Sequence, residues 1–169
     1  AGAFTLTESA DGGILRWNST GEAVYYALTV DNAGFNNFNG AVLTNAGKTS
    51  IEKSVISGTV ANSGTLSASN VLFVDTITNT GTMMSSNSIV QKALTNDGTL
   101  ELYSTTFNGA DSRLVSTSDA DIYGAIFNKN AVSVTNSGKL NIDSALFSEN
   151  TVAVDTTANA QIKDSTFHK

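Results

Sequence analysis

No cysteine occurs anywhere in this 169-residue chain, which excludes both a disulfide frame and a thiolate metal site. The one histidine, His168, stands next to the last residue, so paired metal-spaced histidines are excluded. Neither a Ser-His-Asp arrangement nor a glycine-rich phosphate loop is found, and no metal or other cofactor is expected. Charge is scarce: 14% of residues carry one, and the net charge is −6. Nucleic acid needs cationic side chains facing its phosphates, so it is excluded as a partner. No apolar run approaches the roughly 18 residues of a membrane span, so direct membrane insertion is not expected. The opening "AGAFTLTESADGG" also lacks the charged and apolar parts of a signal peptide. A secreted protein would already have lost its signal.

What remains is 40% hydrophobic content, enough for the core of one domain, set in a polar background of Ser, Thr, Asn and Gly. That background is periodic. Segments opening at Gly47, Gly64, Gly81, Gly98, Ser118, Gly138 and Ala158 align without gaps, at spacings of 17, 17, 17, 20, 20 and 20 residues. Each reaches a large apolar residue nine positions later: Ile56, Phe73, Val90, Phe107, Phe127, Phe147 and Phe167.

Within a segment, apolar and polar residues alternate as on a strand with one buried face, Leu100 and Leu102 against Thr99 and Glu101 for example. Two further apolar touches per segment predict three short strands, one coil of a solenoid. A lone coil cannot bury its apolar face, so the coils must stack on a shared core. The opener's glycines are expected to supply positive φ at a sharp turn. Asn45, Asn62, Asn79, Asn96 and Asn136, two residues ahead of the openers, predict a ladder of stacked amides, with Ser116 and Thr156 in the remaining coils.

Left-handed β-helices keep to multiples of six residues, and a change from 17 to 20 does not. The expected fold is therefore an all-β, right-handed parallel β-helix of about seven coils of 17–20 residues. A β-sandwich is the alternative. The three added residues fall after Phe107, in one turn. Asn130 and Asn150, found only in the longer coils, are expected to stitch that turn. Residues 45–169 form the repeats. Residues 1–44, with Trp17, Tyr25, Tyr26, Phe35 and Phe38, read as an aromatic-rich N-terminal cap or irregular first coils.

The runs "TNSGTL", "TNDGTLELYSTTF" and "TNSGKLNIDSALFSEN" resemble the coils of right-handed β-helical bacterial surface proteins, autotransporter passengers and polymorphic outer-membrane-type adhesins. The resemblance covers roughly residues 45 to 169. It implies an extracellular or cell-surface location on a bacterium or archaeon, and a stalk or adhesive role.

Candidate site residues lie on the outward face. Glu101, Asp119, Asp121 and Asp143 are placed there in three successive coils, either as a solvated acidic patch or as the carboxylates of a polysaccharide-cleaving site. Tyr103 and Tyr123 share one outward position in neighbouring coils, as a ligand surface or a stabilising cross-strand pair. Thr65, Thr82 and Thr99 also line up, but Ser67, Met84 and Glu101 break a second threonine row and argue against an ice-binding face. The expected function is a non-enzymatic adhesin or stalk segment that presents its faces to a host or cell-surface protein or glycan. The alternative is a polysaccharide-binding or polysaccharide-cleaving β-helix. The C-terminal coil, stopping two residues after Phe167, is expected to continue into further coils or to be covered by another chain.

Overall fold

A computed structural model describes residues 4–7, 14–17, 22–26, 29–31, 42–45, 48–52, 55–56 and 58–169. These residues form β-strands and no helix, in three sheets of ten, eight and seven strands. The chain is a parallel β-solenoid of about six turns. The ten-stranded sheet begins with three antiparallel strands, Phe4–Thr7, Ile14–Trp17 and Glu22–Tyr26. From Glu22–Tyr26 onward its pairing is parallel. The side chains of Trp17, Tyr25, Tyr26, Phe35 and Phe38 lie outside the described residues, as does Gly47.

The apolar register of the sequence is the register of the seven-stranded sheet. Ile56, Phe73, Val90, Phe107, Phe127, Phe147 and Phe167 pair one above another through all seven strands. The rings of Phe107, Phe127 and Phe147 stack at 4.8 Å, and Phe147 on Phe167 at 4.7 Å, the separation of neighbouring strands. The stack of chains thus sets the stack of rings. Phe73, Phe107, Phe127 and Phe147 are sealed from solvent, each stabilising the fold by roughly 1.5–3 kcal/mol relative to exposure. Phe167, on the last coil, is 53% exposed.

The asparagine ladder forms at the exit of the ten-stranded sheet, here called the ladder sheet. Asn45 Nδ2 donates to Asn62 Oδ1 at 2.7 Å, Asn62 to Asn79 at 2.6 Å, and Asn79 to Asn96 at 2.7 Å. Asn96 then donates to the Ser116 hydroxyl at 3.2 Å, and Asn136 to Thr156 Oγ1 at 3.1 Å. Each amide also donates to turn carbonyls, Asn79 to Gly81 O and Thr99 O for instance. Five buried asparagines are therefore satisfied at a place where an orphaned amide would cost about 1–3 kcal/mol.

The glycine openers serve a different purpose from the one expected. Positive φ does not occur at Gly64, Gly81, Gly98 or Gly138. A Cβ on Gly98 would fall onto the carbonyl oxygen of Gly81 and lie 2.7 Å from the Thr80 carbonyl carbon; Gly81 and Gly138 meet the preceding coil in the same way. Close stacking of backbones, not handedness of the turn, selects glycine there. Left-handed residues come six positions later, at the corner into the seven-stranded sheet: Asn70, Asn87, Ser104, Gly124, Ser144 and Asp164, with φ between 48° and 63°; Gly109, Lys129 and Glu149, in the longer corner, also have positive φ. In each of these six coils one left-handed residue makes that corner, and Asn tolerates this conformation better than most residues. Gly98→Ala is expected to destabilise by about 1–3 kcal/mol through overpacking. Gly124→Asn is expected to leave the thermal midpoint within about a degree or two, because a Cβ there would meet only Ser104 Oγ, at an ordinary contact distance of 3.7 Å. Calorimetric melts of the two variants separate the roles.

The three extra residues lengthen only the corner leading back to the ladder sheet. Val90 pairs with Phe107 and Ala93 with Arg113, so the added length falls between Phe107 and Arg113 while both sheets keep register. Asn130 and Asn150 stitch this corner. Asn130 Nδ2 reaches Gly109 O at 2.9 Å and Asn150 Nδ2 reaches Phe127 O at 2.9 Å, while Asn150 Oδ1 accepts from Asn130 N at 2.8 Å.

Candidate functional site

Among the described residues, the outward face of the eight-stranded sheet carries the exposed tyrosines Tyr103 and Tyr123 together with Glu101, Asp121 and Asp143. Its strands are held in register by parallel pairing from Thr65–Ser69 through Thr82–Ser86, Thr99–Tyr103, Ala120–Tyr123 and Leu140–Asp143 to Ala160–Lys163. Alternation sends Leu100 and Leu102 inward, and Glu101 and Tyr103 outward. One outward row therefore reads Ser69, Ser86, Tyr103, Tyr123, Asp143, Lys163, and the next Ser67, Met84, Glu101, Asp121, Asn141, Gln161.

The Tyr103 and Tyr123 rings stack with centroids 5.2 Å apart and planes 12° from parallel, and both remain more than a third exposed. Tyr103 OH donates to Glu101 Oε2 at 2.9 Å. That bond stabilises the neutral phenol, and with partial desolvation and the nearby Glu101, Tyr123 and Asp121 charges it raises the Tyr103 pKa above the usual tyrosine value. Asp121 Oδ1 accepts from Asn141 Nδ2 at 2.6 Å. Asp143 accepts from Ser144 Oγ at 2.7 Å and lies 3.8 Å from Lys163. The Lys163 ammonium is held chiefly by Asp164, at 3.2 Å, which with Asp143 raises its pKa.

No protein-family model, curated protein or solved structure matches this chain.

Geometry thus has to distinguish the candidate residues. Glu101, Tyr103, Asp121 and Tyr123 are brought together on adjacent strands. Asp143 stands apart from the two carboxylates, in the tyrosine row, where Lys163 faces it. Asp119 lies at the corner before its strand, and its carbonyl accepts from Leu100 N. Among the described residues no group of three or more His, Cys, Asp or Glu is placed to hold a metal ion.

Two features of the surface were missed in the sequence. Ser69 and Ser86 continue the tyrosine row as small residues, beside Met84, which the register already placed outward and which is 43% exposed. On the seven-stranded sheet an outward row of Val55, Leu72, Ile89, Thr106, Ile126 and Leu146 leaves Ile89 and Ile126 about 40% exposed. The register would have shown the first. The second was hidden because strands as short as Leu72–Phe73 and Ile89–Val90 are apolar throughout and show no alternation.

Proposed function

We propose that this chain is a non-enzymatic segment of a secreted or surface-displayed microbial protein, an adhesive or spacer solenoid resembling autotransporter passengers and polymorphic outer-membrane-type adhesins. Its partner is a protein or glycan on a host or cell surface. The exposed Tyr103–Tyr123 stack carries this reading. Two large aromatic rings held outside the core on a regular sheet, with one Tyr103 face left open, form a rigid contact surface that loses little conformational entropy when covered. The coils beneath supply the rigidity, because every strand of the eight-stranded sheet from Thr65 onward is paired to the coil before it.

The test is a binding assay of the labelled chain on a panel of bacterial and animal cells. Saturable attachment that falls in the Tyr103→Ala, Tyr123→Ala double variant is the expected result. Absence of saturable attachment to every cell type overturns the reading. So does release of unsaturated or reducing ends from acidic polysaccharide, with or without Ca²⁺, that is lost in Asp121→Asn, since it would make the chain an enzyme.

A further inference from the structure

We infer that the outer face of Tyr103 is a saccharide-stacking platform, and that its ligand is an uncharged or amino-bearing pyranose and not a uronate. The inference rests on the adhesive reading and names the ligand class of that site.

Stacking on Tyr123 occupies one face of the Tyr103 ring. The other face looks along the row toward Ser86 and then Ser69, whose side chains are too short to cover it. The next long side chain in that row is Glu52, paired with Ser69 and so three coils from Tyr103, a distance of about 14 Å. Between them the row carries only the two serines. A pyranose stacked on an aromatic ring fills a layer of about 4.5–5 Å, close to one coil spacing, so a single sugar ring fits over Ser86 against Tyr103. Tyr123 offers no equivalent place. Its far side meets Asp143, whose carboxylate is engaged by Ser144 and Lys163.

The rim suits a sugar. Asn70 and Asn87, exposed at the left-handed corner, set amides beside the two serines, and Asn70 Nδ2 donates to Ser69 Oγ at 3.2 Å. Met84 adds an apolar edge. These groups give hydroxyls and amides for a saccharide's hydroxyls, and apolar surface for its C–H face. The charge is one-sided. Glu101, hydrogen-bonded to the Tyr103 hydroxyl, is the nearest ionised group, and Asp121 lies in the next coil of its row. A uronate carboxylate would meet like charge here, whereas a neutral or amino-bearing ring would not.

The experiment titrates the full chain with cellotetraose, a glucosamine tetrasaccharide and a galacturonate tetrasaccharide, followed by tyrosine fluorescence and calorimetry. Binding of one or both of the first two is expected, with the galacturonate at least about ten-fold weaker. Tyr103→Ala is expected to weaken binding by about ten-fold or more, the scale of a lost stacking contact. Ser86→Arg, whose side chain can lie over the ring, should weaken it as much while the thermal midpoint is unchanged. Ser137→Arg, exposed in the turn that follows the strand Val132–Asn136, should leave affinity unaltered. The inference is overturned if neither tetrasaccharide binds, if the galacturonate binds best, or if Tyr103→Ala binds normally. Saturable cell attachment in the face of any of those results leaves the adhesive reading standing, so the two failures are distinguishable.

Discussion

Phe127→Ala is expected to destabilise the solenoid by about 3–5 kcal/mol, the usual cost of removing a fully buried phenylalanine ring. Phe127 has no solvent exposure and is an inner ring of a four-ring stack, with Phe107 and Phe147 each 4.8 Å away. Its removal strips one face of contact from both neighbours, and the coils cannot collapse to fill the gap without leaving the strand register on either side. Because each coil touches only its neighbours, the loss should be local. Hydrogen exchange is expected to quicken in the coils of Phe127 and Phe147 well before those of Phe73 and Val90. A uniform change along the chain, or a loss below about 1 kcal/mol in denaturant melts, would contradict the idea of a continuous packed column.

Asn79→Leu should be nearly as damaging although it adds apolar volume. The change leaves Asn62 Nδ2 without its Asn79 acceptor and Asn96 Oδ1 without its Asn79 donor, both inside the protein. Four hydrogen bonds of Asn79 are lost in all, with Asn62, Asn96, Gly81 O and Thr99 O, and at about 0.5–1.5 kcal/mol for each the expected loss is roughly 2–6 kcal/mol. Asn79→Ser should recover part of it. The ladder already runs through a hydroxyl at Ser116, which accepts from Asn96 and donates to Ser118 O at 2.9 Å. Equal midpoints for the leucine and serine variants would show that packing, not hydrogen bonding, governs this column.

The fold was legible because its information is repeated. Phe107, Phe127, Phe147 and Phe167 recur at one spacing, and Asn62, Asn79 and Asn96 at another, so a single aligned column fixes the register of a whole sheet. The glycines misled for a physical reason. Sequence shows that a position tolerates no side chain, but it does not show whether φ or a neighbouring backbone forbids one, and at Gly98 the neighbour is a residue seventeen positions earlier. The site was legible in part. Register placed Tyr103 beside Tyr123, whereas the orientation of the rings, with one face shared and one left over Ser86, depends on side-chain torsions that no pattern of letters encodes.

The three corners of each coil differ in how much change they admit. The corner after the tyrosine-bearing strands is a single left-handed residue, and the corner at the asparagines is clamped by amides to the coils on both sides. The third has already grown by three residues after Phe107 without disturbing a strand. New loops can therefore be inherited along one edge only. A lineage of such coils would evolve with a variable front and two conserved flanks, and a foreign peptide for display would be spliced at Gly109–Ser112 in preference to either of the others.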